Sequence, residues 1–184
     1  GEPAQRAEVQ PALAPSPSIT PLGMAFALPG LSDRLSVDLK AGAVQPWLIN
    51  LTGFGGNLAE AGQRREWLKQ SFKLNDRAML SFKQILDQPD SEAISAKTLG
   101  RLIFISDDEL DDHDQVFRPF GLEQVIDRCA TLIRRLRTAG FSTVYVVTDH
   151  GFFHWEPDKD EKEVPLPEGE VLWRSRRAVV GRAL

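Results

Sequence analysis

Asp149, His150 and Gly151 stand directly after an uncharged run of β-formers, "TVYVVT" at 143–148. Carboxylate oxygen and imidazole nitrogen suit zinc, manganese or a similar divalent ion. The glycine permits the turn that would aim both side chains into one cavity. The plainer alternative is that Asp149 caps whatever follows and His150 lies at the surface. A second concentration of ligand chemistry is "DDELDDHD" at 107–114, which holds six acids and one histidine. Charges of one sign packed this densely repel unless a cation, an arginine or open water relieves them. Asp111 and His113 are its candidate metal ligands, with Glu109 or Asp114 as substitutes; a solvated loop is the competing reading. Thr20 is the third candidate. A hydroxyl at a helix start, near amides that attract an anion, becomes a nucleophile when a metal lowers its pKa. Taken alone, "SIT" before Pro21 is a helix cap. His154 follows His150 by four residues, but Phe152, Phe153 and Trp155 around it suggest the flank of a packed loop. Arg174, Arg176, Arg177 and Arg182 either grip phosphate oxygens or balance the acidic stretch "EPDKDEKEVPLPEGE" before them.

These residues need elements to hold them. "RLIFIS" (101–106) reads as a buried strand and "GLEQVIDRCATLIRRLRTAG" as an amphipathic helix. Leu122, Val125, Ile126, Cys129, Ile133 and Leu136 form the expected inner stripe, and Gly140 the stop. "TVYVVT" reads as a second buried strand. Strand, helix, strand in that order predicts a right-handed βαβ unit with parallel strands covered on both faces. Its carboxyl edge, where ligands sit in open α/β sheets, then receives both acidic loops. Upstream, Ser18 or Thr20 caps a short helix with Pro21 at its first helical position, ended by Pro29-Gly30. "DRLSVDLKAG" predicts an exposed strand and "PWLINLTGFGG" a short strand before a glycine-rich loop. "NLAEAGQRREWLKQSF" predicts a helix facing inward through Leu58, Ala61, Trp67, Leu68 and Phe72. "DRAMLSFKQILDQ" predicts another, with Met79, Leu80, Phe82, Ile85 and Leu86 apolar. "PDSEAIS" reads as loop.

The totals agree with one sizeable core: 184 residues, 42% hydrophobic and 26% charged. The net charge of -4 gives no global pull toward nucleic acid or membrane. Cys129 is the single cysteine, so an internal disulfide is excluded. No apolar run approaches the ~20 residues a bilayer requires. The opening "GEPAQRAEVQ" has neither a methionine nor a signal-peptide pattern, and the reading is of a piece cut from a longer, cytoplasmic protein. Proline spacing makes residues 1–17 an extended segment, and residues 18–184 an incomplete α/β domain with a mostly parallel sheet flanked by helices.

Three separated stretches, "PSITPLGMAFALPG", "RLIFISDDELDD" and "VYVVTDHGFF", together resemble the PglZ domain, a branch of the alkaline phosphatase superfamily known from BREX-type phage defence. "LSVDL" and "LTGFGGNLAEAGQRREWLK" are similar to that family's stretch between the first two motifs. The resemblance implies an alkaline phosphatase-like core and two divalent ions, zinc or manganese. It implies Thr20 as nucleophile and metal ligand, Asp149 and His150 on the same metal, and Asp111 on a second. The family's pattern then has a histidine four residues after the aspartate. Gln115 stands there, so His113 or Asp114 must serve. The family's first metal-binding aspartate and its late histidine are expected outside this stretch of chain. The implied partners are a phosphate monoester or diester and other phage-defence proteins; nucleic acid is a further option. Two other classes compete: an interaction domain that keeps the fold without hydrolysing, and a response-regulator-like domain with an acidic magnesium pocket. The latter leaves "PSIT" and "DHG" unused.

Overall fold

The computed structural model describes residues 7–11, 13–17, 19–88, 93–100, 102–106, 121–148, 168–174 and 179–182. The chain is a mixed α/β protein with three two-stranded sheets among the described residues, one of them parallel. It divides into two compact units. Among the described residues, the first holds those of 7–59, Thr148 and those of 168–182, and the second those of 60–147.

The first unit begins with helix α1, Thr20–Phe26. Its Leu22 and Ala25 are buried together with Ile19, Leu28 and Leu31. Strands β1 (Leu35–Leu39) and β2 (Trp47–Leu51) pair antiparallel, Leu35 opposite Leu51 and Leu39 opposite Trp47. Alternation decides which face of β2 is inside: Trp47, Ile49 and Leu51 are buried, while Asn50 between them is exposed. The outer edge of β2 is closed by a side chain acting as backbone. Asn57 Oδ1 accepts from Ile49 N at 2.8 Å, its Nδ2 donates to the Trp47 carbonyl at 2.9 Å, and Leu58 N donates to the Ile49 carbonyl at 2.8 Å. An edge that would otherwise invite pairing is thereby satisfied. The expected exposed strand and the strand before the glycine-rich loop are both present.

The basic tail, read from sequence only by its charge, forms a hairpin of β5 (Glu170–Arg174) and β6 (Val179–Arg182) with an irregularity between Val171 and Trp173. A Cβ on Gly181 would stand 2.7 Å from the Glu170 carbonyl oxygen, which explains glycine there. Trp173 meets Trp47 edge-on, centroids 5.2 Å apart.

The second unit is built around α5, Gly121–Thr138. Its buried stripe is Leu132, Leu136 and Ala139, extended by the partly buried Cys129. Steps of three and four residues keep these on one face. Cys129 and Leu136 of the expected stripe are in it; Leu132 is buried beside the half-buried Ile133, and Ile126, expected inside, is 57% exposed. The helix ends as foreseen. Gly140 has φ +96°, its N–H donates to the Arg137 carbonyl at 3.0 Å, and Phe141 N donates to the Leu136 carbonyl at 3.0 Å. This pair of bonds is a Schellman closure, with buried Phe141 beside Leu136 in one core.

Helix α2 (Ala61–Phe72) buries Trp67, Leu68 and Arg64, whereas Ala61 and Phe72, expected inside, are exposed. Phe72 instead stacks at the surface against Trp67 and Phe104. The next expected helix is not one helix. A 3₁₀ turn at Asp76–Ala78 leads into β3 (Met79–Ser81) and then α3 (Phe82–Asp87). Ser81 sets the boundary: its Oγ accepts from Gln84 N at 3.1 Å while Gln84 Oε1 accepts from Ser81 N at 2.7 Å. That reciprocal capping box forces Ser81 into extended backbone and starts the helix at Phe82. Helix α4 (Ala96–Leu99), capped by Ser95, was not foreseen.

Strand β4 (Phe104–Ser106) pairs in parallel with β3: Met79 opposite Phe104, Ser81 opposite Ser106. The expected parallel neighbour, 143–148, is not its partner. That segment carries no strand ladder, and Tyr145, Val146 and Val147 are 86%, 70% and 66% exposed. Among the described residues, the expected βαβ unit is therefore corrected to a strand and a helix followed by a segment that joins no ladder. β-Propensity alone does not make a strand, because a ladder needs a neighbouring strand that offers its backbone.

Arg135 ties α5 to α3. Its Nη1 donates to the carbonyls of Ile85 at 2.8 Å, Leu86 at 2.6 Å and Gln88 at 3.1 Å. Carbonyls at a helix end lack intrahelical partners, and a cation there also suits the helix dipole. Arg135→Met keeps the aliphatic stem but strands these carbonyls. It should lower stability by about 2–3 kcal/mol, the scale of a lost charged hydrogen bond plus unsatisfied acceptors. Urea unfolding followed by Trp67 fluorescence checks it; an unchanged midpoint would show the clasp to be idle.

Candidate functional site

Thr20 is the one candidate ligand or nucleophile among the described residues. Asp111, His113, Asp149 and His150, with the substitutes Glu109, Asp114 and His154, lie outside them, as do Ser18, Arg176 and Arg177. Thr20 is the first helical residue of α1, half-buried, with Pro21 next. The N-cap is Ile19, in extended backbone and without a side-chain capping bond. Thr20 is thus not the cap expected of it. A threonine in the first turn of a helix keeps its hydroxyl beside amides that have no intrahelical acceptor. Nucleophilic use of that hydroxyl requires a base or cation to take its proton.

The second unit supplies a different part: the carboxyl edge of a parallel strand pair. Ser81 and Ser106 are opposite each other at that edge. Arg65 of α2 reaches it, Nη2 standing 3.5 Å from Ser106 Oγ. Asp107, the first acid of the 107–114 run, follows Ser106 in sequence. Reading the chain by its acids missed Arg65, Ser81 and Gln84. The signal that could have found the last two is the Ser-x-x-Gln spacing of a capping box. Arg65 lies within "QRREW" and has no local mark distinguishing it from a solvated helix face.

Elsewhere the described surface offers little. An open depression of about 280 Å³ is lined by Leu80, Gln84, Asp87, Gln88, Ala93 and Ile94. One carboxylate among apolar and amide groups is a poor metal site. Among the described residues no three His, Cys, Asp or Glu side chains gather as a metal would require, and no helix is long and apolar enough to cross a membrane. The perturbed carboxyls are at the surface: Asp76 is held below its ordinary value by a hydrogen bond and ion pair with Lys69, and Asp33 by a hydrogen bond from Ser32. Both are local pairings rather than poised acids.

The Ser81 capping box holds the carboxyl end of β3 against the start of α3. Ser81→Ala should cost about 1 kcal/mol, as lost N-caps do. Hydrogen exchange would show faster opening of the Gln84 amide. Exchange equal to wild type at Gln84 would mean the cap contributes nothing.

Compared with protein-family models, with curated proteins and with solved structures, the chain matches none.

Proposed function

We propose that this chain is part of a metal-dependent phosphoester hydrolase of the PglZ type, within the alkaline phosphatase superfamily and serving phage defence in the cytoplasm alongside other defence proteins. The observation that carries the reading is the order of three motifs. A threonine opens a helix at "PSITP", an acid-rich run of sequence follows the strand "FIS", and "TDHG" follows a second β-forming run. Thr20 at the start of α1 and the parallel pair β3–β4 before Asp107 support it.

The donor set suits divalent zinc or manganese: carboxylates at Asp111 and Asp149, imidazoles at His113 and His150, and the Thr20 oxygen. When bound, such ions withdraw charge from the phosphoryl oxygens and lower the pKa of a bound hydroxyl. Thr20, its hydroxyl acidified, would give up its proton to solvent water, and its Oγ would attack phosphorus in line. The bond from phosphorus to the leaving ester oxygen breaks, and that oxygen takes a proton. Water then hydrolyses the phosphothreonine, returning the hydroxyl and releasing phosphate or a phosphate monoester. The Asp149-His150 pair would hold the ion.

One observation favours a second reading, an interaction domain that keeps the fold and assembles a defence complex without turnover. Gln115 occupies the place, four residues after Asp111, where the family's pattern has a histidine. Neutral amide oxygen is a weaker ligand than imidazole for zinc.

Two measurements separate these readings in the longer parent chain. Thr20→Ala should abolish metal-dependent turnover of an activated phosphodiester, by at least about 10²-fold, as expected for a lost nucleophile. Turnover equal to wild type removes Thr20 from the chemistry. The Asp149→Ala, His150→Ala double variant should lose bound zinc or manganese by elemental analysis. Equal metal content rejects that pair as ligands. Metal binding without turnover in the wild type would favour the interaction domain.

A further inference from the structure

We draw no further inference here: the strongest candidate, the buried indole N–H of Trp47 at the start of β2 beside Trp173 of the β5–β6 hairpin, has no hydrogen-bond acceptor among the described residues, and nothing in the structure shows what would supply one.

Discussion

Burial of one helical stripe organises the second unit. Leu132, Leu136 and Ala139 on α5 share a core with Phe82 and Ile85 of α3, Leu99 of α4 and Phe141 after the Schellman turn. Strands of three residues, such as β3 and β4, cannot hold together by their ladder alone. They persist because Leu80 and Ile105 pack on that core. The Arg135 clasp then fixes the rotation of α5 relative to α3, since one guanidinium nitrogen reaches carbonyls of three residues at a helix end. Nη1 has two hydrogens, so the three acceptors share them. Removing the stripe would leave no surface for the strand pair, and the carboxyl edge with Ser81 and Ser106 would have nothing to stand on.

The first unit follows a different logic. Its hairpin β1–β2 is half solvated, as antiparallel pairs can be, and its buried face alternates with period two. What stops its outer edge from remaining open is Asn57, whose amide copies the donor and acceptor of a backbone residue. The glycine-rich stretch before it is the turn that brings this amide back to β2. Gly53, at φ +86°, takes a backbone conformation that a side chain would strain.

Much of this was legible in the chain because it depends on near neighbours. α1, β1, β2, the body of α2 and the Gly140 stop of α5 follow from prolines, alternation, helical spacing and a glycine with positive φ. The departures have local causes as well. Met79 to Leu86 carries apolar residues at helical steps, but Ser81 and Gln84 close a capping box that starts the helix later. On α5, Cys129 and Leu136 lie inward as read, whereas Ile126 is exposed and Leu132 is buried, because hydropathy cannot tell which apolar residues the partner helices will cover. Arg64, nearly buried in α2, shows the converse: a long side chain can lie inside while its charge suggests a solvated face. The candidate site was legible only as residue chemistry, and Thr20 shows its limit. Its type and neighbourhood were read correctly as the start of a helix, yet its position is one residue inside the cap.

The segment 143–148 carries the most general lesson. Its sequence states a preference for extended backbone, yet among the described residues it joins no ladder. Pairing is a property of two segments, and no composition of one of them can report the other. Parallel pairing is the more demanding case, because it waits on a crossover and contributes little until the whole unit closes.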